Sequence, residues 1–352
     1  MWQLDNRTPF AAAQGWIRDR RGAEVWLVVV KASFDLLPDG TTRIAKEQPE
    51  PLRLPEHNGE PGKSSIRLDH DFVLTKTTTD LIVVGNACAP SGGSVRQLDV
   101  GMRVGALQKA LRVFGERTWG PLGSPGGAQP FKTMPLVYER AFGGADRRSA
   151  EPEKDWYWPN PVGCGFVIRS AHLYDVPVPN IEAPDRLINA WNDRPAPAGF
   201  GPIASHWHPR SALAGTYDTR WEATRQPLLP DDCDDRFFQC APADQQTAQF
   251  LIGGERVALV GMSPRGRLDF ILPQMSLTLE SRFSDGERRV HDAPKLHTAI
   301  FEPNLPRVSL VWHSALECHA KVYKLDETRI RWHAPGMSED ADESVDNLLD
   351  LV

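Results

Sequence analysis

Apolar residues along the first third of the chain fall into short runs and strict alternations, the spacing of strands. Val25-Trp26-Leu27-Val28-Val29-Val30-Lys31-Ala32-Ser33-Phe34 is β-branched and aromatic, and Leu37-Pro38-Asp39-Gly40 ends it with proline and glycine at turn positions. Leu81-Ile82-Val83-Val84 reads as a buried strand entered from Thr77-Thr78-Thr79. Val100, Met102 and Val104 alternate with polar or small residues, and Leu111 and Val113 alternate again beyond Gly105, which predicts a hairpin with one solvated face. The same grammar returns from Val257 to Val260, at the turn Ser263-Pro264-Arg265-Gly266, and at Leu268, Phe270 and Leu272. Leu277 and Leu279 lead to a turn at Ser284-Asp285-Gly286-Glu287, and Val308–Trp312 and Ala320–Leu325 are expected to be further strands. No helical period is sustained before residue 338. The pattern predicts an all-β protein of packed antiparallel sheets.

Between these β regions the chain changes character. Residues 115–249 are rich in proline, glycine and tryptophan, and 17 of the chain's 30 prolines lie between Pro121 and Pro242. Six tryptophans (119, 156, 158, 191, 207 and 221) contradict a disordered composition and predict an ordered, loop-rich insertion packed on the sheets. The expected organisation is therefore an N-terminal β region over 1–114, the insertion over 115–249, a C-terminal β region over 250–335 and an acidic tail over 336–352. From Met337 onward there is no Lys or Arg but six acids, Glu339, Asp340, Asp342, Glu343, Asp346 and Asp350, equal to the net charge of −6. Val345, Leu348, Leu349 and Val352 share one face of a short helix, which is marginal in water and is expected to be disordered unless it docks.

Composition removes several function classes. The slight acidic excess, 46 Asp and Glu against 40 Lys and Arg, argues against nucleic acid as the main partner. The longest strongly apolar run, Val25–Val30, falls far short of the roughly 20 residues of a membrane span, and no secretory signal is expected at Met1–Arg7. Five cysteines, an odd number without Cys-x-x-Cys spacing, fit free thiols in a reducing cytoplasm.

Candidate chemistry is sparse. Gly62-Lys63-Ser64 lacks the upstream glycine of a phosphate loop, since His57 stands there, and Pro61 removes a backbone donor; an exposed turn is expected. The best metal candidate is His206-Trp207-His208, whose imidazoles would share one face of a strand, with carboxylates from Asp231-Asp232-Cys233-Asp234-Asp235. No Gly-x-Ser-x-Gly elbow and no protease-like cysteine is present. Neither a cofactor nor a bound metal is expected. A metal- or carboxylate-dependent hydrolase using His206, His208, Asp231 and Asp232 is the alternative reading.

A long series of ordered motifs carries a resemblance. It runs from Asn6-Arg7-Thr8-Pro9-Phe10 through Val28–Phe34, Gly85-Asn86-Ala87-Cys88-Ala89-Pro90 and Val113-Phe114-Gly115-Glu116-Arg117-Thr118-Trp119. It continues through Met134–Gly144, Asn160-Pro161-Val162-Gly163, Val178-Pro179-Asn180-Ile181-Glu182, Ala198–Ile203, Ala214-Gly215-Thr216-Tyr217-Asp218 and Asp235–Pro242. In these the chain resembles the bacterial family known as domain of unknown function 2169, over residues 1 to about 335. Cys233 and Gln239 depart from its pattern, where an aromatic and an Asn are expected. The resemblance implies a cytoplasmic, non-catalytic adaptor or chaperone of type VI secretion, which binds an effector toxin near its PAAR-like module and helps load it onto the VgrG spike. A structural component of the secretion apparatus is the third possibility.

Trp156, Tyr157, Trp158, Trp207, Tyr217, Asp218 and Trp221 are the candidate partner-binding residues. Trp, Tyr and Arg dominate binding energy at protein interfaces, and three adjacent aromatics beside Glu151, Glu153, Lys154 and Asp155 cannot easily all face inward. Tyr217 can equally anchor a loop corner. Glu116-Arg117 and Glu139-Arg140 are expected to form internal ion pairs, and Asn180 and Glu182 to tie the proline-rich loop.

Overall fold

The computed structural model describes residues 2–319 and 321–333. The acidic tail, with its expected helix, lies outside the described residues. The fold is all-β, as expected, and three sheets enclose one main core.

The largest sheet orders its strands Ala11–Arg18, Glu24–Leu36, Arg307–Glu317, Lys295–Glu302 and Asp80–Val83, with Thr42–Ile44 added beside Glu24–Leu36. A second runs Ile181–Glu182, Leu107–Phe114, Gln97–Val104, Arg256–Val260, Arg267–Ile271. A third runs Gln3–Asn6, Leu325–His333, Ser276–Phe283, Arg288–Val290. Within these three sheets pairing is antiparallel except for Gln3–Asn6 on Leu325–His333 and Asp80–Val83 on Lys295–Glu302. Strands from both ends of the chain interleave in every sheet; Val30 faces Trp312 across one ladder and Met102 faces Leu259 across another.

Burial explains the two kinds of strand. Val100, Met102 and Val104 are buried while their neighbours are not, so this strand keeps one wet face, and each buried side chain contributes about 1.5–3 kcal/mol. Val25 to Phe34 is buried on both faces. Val28 and Val30 feed the main core, which also holds Leu279, Phe283, Ile330 and Phe301. Val29 and Val311 point the other way and pack with Ile82, Ile300, Cys240 and Ala241. The back of the largest sheet is thus covered by the end of the loop-rich insertion. One expected strand is misplaced: Val322–Lys324 is a 3-10 turn, and the strand expected to end at Leu325 begins there. The backbone needs the turn to bring the chain back beside Ser276–Phe283.

Buried polar groups clamp the insertion to the scaffold. Lys76 Nζ lies 2.5 Å from Asp80 Oδ2 and 3.0 Å from Thr298 Oγ1. Asp80 also accepts from Cys240 N at 2.8 Å and from Gln239 Nε2 at 2.9 Å. Gln239, one of the two departures from the family pattern, reaches Thr77 N as well. Burial disfavours the Lys76 ammonium, but the Asp80 carboxylate outweighs it and holds the amine protonated far above neutrality. Arg210 pairs with Asp69 at 2.6 Å, and Gln245 Nε2 donates to the carbonyls of Leu81 and Phe200. Inside the insertion the only α-helix among the described residues is Thr219–Thr224, too short to leave a period in the sequence.

Candidate functional site: a cationic aromatic cleft

Loops of the insertion, with the 62–64 turn of the N-terminal region, border a cavity of about 650 Å³ whose lining comes from four separated stretches around 62–64, 143–167, 174–177 and 206–207. Its floor rests on a short parallel bridge between Phe142–Gly143 and Cys164–Gly165. Gly144 has φ of 86°, and a Cβ there would stand 2.3 Å from the Gly163 carbonyl oxygen, so only glycine allows the two loops to close. Asn160, fully buried, donates from Nδ2 to the carbonyls of Tyr138 (2.8 Å) and Phe142 (3.1 Å) and fixes the same corner.

Asp146 shapes the next turn. It accepts from Ile168 N, from Arg148 N and from His172 Nδ1, the last at 2.6 Å. Burial alone would raise this carboxyl, yet the donors outweigh it and hold it below the usual carboxylate range. The turn carries Arg147 and Arg148 outward on the cleft wall. Arg148 sits 5.2 Å from the ring centre of Tyr174, and Arg147 forms no ion pair among the described residues. Lys63, paired with Glu60 at 2.9 Å, and His206 border the same wall, and Asp175 is its other lining acid.

The aromatic triplet divides as its crowding demands. Trp156 and Trp158 pack with their rings tilted by 35° and 4.2 Å between ring centres, with Trp158 62% exposed. Tyr157 turns inward, packs on Phe142 at 4.9 Å and donates from its hydroxyl to the Pro195 carbonyl. Trp207 is a correction: only 3% exposed, it packs edge-on against Tyr138, and its ring is core beneath the cleft. Cys164 also lines the cavity, where burial pushes its thiol up to about 12 and keeps it protonated.

A second cavity of about 590 Å³ shares Lys63 and Ser64 with the first. Arg67, Asn304, Leu305 and Pro135 lie along it, and Arg67 pairs with Glu302 at 2.8 Å. The Gly62-Lys63-Ser64 turn, exposed as expected, is therefore a partition in one longer track.

Asp218 and Trp221 lie elsewhere, at a hollow of about 340 Å³ that also includes Asp231 and Asp232, with Tyr217 packed on Trp221. Tyr217 is 53% exposed and meets Trp221 at 4.7 Å. Asp218 caps the Thr219–Thr224 helix by accepting from Trp221 N, and Trp221 Nε1 donates to the Leu228 carbonyl. The expected strand at His206 and His208 is a turn, because two prolines and the Trp207 anchor bend it. Those histidines do not meet the aspartates: Asp231 pairs with Arg225, Asp232 accepts from Thr216 N and Oγ1, and Asp234 pairs with Arg236. Among the described residues no three His, Cys, Asp or Glu side chains are grouped to hold a metal.

The expected loop ties are present with exchanged partners. Arg140 pairs with Glu116 and bonds Asn180 Oδ1, while buried Arg117 pairs with Glu182. Glu139 instead accepts from Ser65 N and Oγ. Arg147, Arg148, Lys63 and Tyr174 were missed as site residues; the adjacent arginines after Gly-Gly-Ala-Asp were the available signal.

This is an open, aromatic cleft with two arginines on its wall, carried on a β scaffold. The chain belongs to the family described as an uncharacterized protein conserved in bacteria, domain of unknown function 2169, which matches residues 21–313. No curated protein and no solved structure matches it. No helix among the described residues is long and apolar enough to cross a membrane.

Proposed function

We propose that the protein is a non-catalytic adaptor or chaperone of the bacterial cytoplasm, which holds a type VI secretion effector and helps load it onto the VgrG spike, near a PAAR-like module. The type VI assignment rests on the family resemblance. Binding of a polypeptide rests on one observation above all: half-buried Trp156 lining a track of two adjoining cavities with exposed Trp158 packed beside it, on loops that hydrogen bonds and glycine contacts already hold in place. Such loops lose little entropy on binding, and indole rings are the strongest anchors of protein interfaces.

The hydrolase alternative has less support. His206 borders the cleft while Asp231 and Asp232 border a different hollow, and the cleft's cysteine is held as the unreactive thiol. Co-expression with type VI effector toxins tests the proposal. A stoichiometric complex that leaves this chain chemically unchanged, with the chain absent from the secreted fraction, is the expected result. Secretion of the chain with its cargo would favour a structural part of the apparatus, and the absence of any complex would overturn the adaptor reading.

A further inference from the structure

We infer that the cleft takes an acidic, extended segment of the partner polypeptide, laid from the Trp156–Trp158 pair past Arg147 and Arg148 to the Lys63 partition and on toward Leu305. The inference rests on the adaptor reading and adds the chemistry of what is bound. Although the chain as a whole is acidic, with a net charge of −6, this wall carries Arg147 and Arg148 side by side, with Lys63, paired to Glu60 at 2.9 Å, at its edge. Of its two acids, Asp146 is consumed by His172 and by two backbone amides, leaving Asp175. Arg147 has no carboxylate of its own among the described residues, and Arg148 is held over Tyr174 with its guanidinium still on the cavity wall. Guanidinium groups so placed suit carboxylates bidentately.

The track's form favours a chain over a small ligand. Either cavity alone has the volume of a small-molecule site, yet the two share Lys63 and Ser64, and each has an exposed apolar group, Leu305 lining one and Trp158 packed on Trp156 of the other. An extended peptide advances about 3.3 Å per residue and can set carboxylates and aliphatic or proline side chains at alternate positions along such a track.

The test is selection of a random peptide display library on the full chain, on the double charge reversal Arg147→Glu/Arg148→Glu, and on Trp158→Ala. The full chain is expected to enrich peptides dense in Asp and Glu. Charge reversal should cut recovery of those peptides about tenfold or more and favour Lys- and Arg-rich ones, and Trp158→Ala should lower recovery without changing the charge preference. Unaltered circular dichroism and melting temperature establish that the variants are folded. Enrichment without acidic bias, or bias that survives charge reversal, overturns the inference while leaving the adaptor reading standing if the cargo still co-purifies. No enrichment together with no cargo complex overturns both. A melting-temperature rise with ATP that charge reversal abolishes identifies a small-anion pocket instead, and also overturns it.

Discussion

Replacing Asp80 by Asn tests whether the insertion that carries the cleft is clamped to the scaffold by buried charge. Asp80 is fully buried and holds the Lys76 ammonium at 2.5 Å, the Cys240 amide at 2.8 Å and the Gln239 side chain at 2.9 Å. Asparagine keeps the shape and one acceptor, so the main loss is the charge opposite an ammonium that is almost as deeply buried. Removing one partner of such a pair costs about 3–5 kcal/mol, since Thr298 Oγ1 alone cannot replace the solvation of the cation. With a urea dependence of about 1–3 kcal/mol per molar, the unfolding midpoint followed by tryptophan fluorescence should fall by roughly 1–5 M. Adding Lys76→Met to Asp80→Asn removes the stranded charge and should restore about half of the loss or more. A loss below about 1 kcal/mol for Asp80→Asn, or no recovery in the double variant, would refute the clamp.

Other consequences are open to measurement. His297 and His313 stack at 4.5 Å, and burial lowers both, His313 to about 4; burial likewise lowers His291 to about 4. All three are neutral in the folded protein but titrate near 6.5 when unfolded. Their contribution is therefore lost as pH falls from about 6.5 toward 4, by up to about 1.4 kcal/mol per pH unit for each histidine. Urea midpoints should drop between pH 6.5 and 5, and less steeply in His313→Gln; a flat profile there contradicts the burial argument. Trp158→Ala should change stability by less than about 1 kcal/mol, because the ring is mostly in solvent, while weakening cargo binding about tenfold or more by titration calorimetry. The protein incubated with zinc and dialysed should retain no stoichiometric metal by elemental analysis. Retention that His206→Ala/His208→Ala removes would revive the hydrolase reading.

Periodicity exposed the scaffold because burial and side-chain type agree there. Val25–Phe34 is β-branched since both of its faces are covered, and Val100, Met102 and Val104 alternate since one face is wet. The strand at Leu325 was misplaced because Val322 and Tyr323 look equally strand-like in a 3-10 turn whose purpose is directional. Loop ties were legible as residue types and not as pairs: neither arginine pairs with its adjacent glutamate, Arg117 taking Glu182 and Arg140 taking Glu116. The cleft was half visible. Adjacent Trp156, Tyr157 and Trp158 announce a surface aromatic by crowding alone, whereas Lys63, Arg147 and Tyr174 meet only because Gly144 and Asn160 fold distant loops together. Trp207 misled for the opposite reason, since an indole in a proline-rich turn reads the same whether it faces solvent or Tyr138.

The most direct test is calorimetric titration of the purified chain with segments that flank the PAAR-like modules of type VI effectors, repeated with the Arg147→Glu/Arg148→Glu variant. Saturable one-to-one binding that weakens with salt and is lost on charge reversal is the predicted result. No binding by the unaltered chain, or turnover of the segment into products, would contradict a cleft that only holds its cargo.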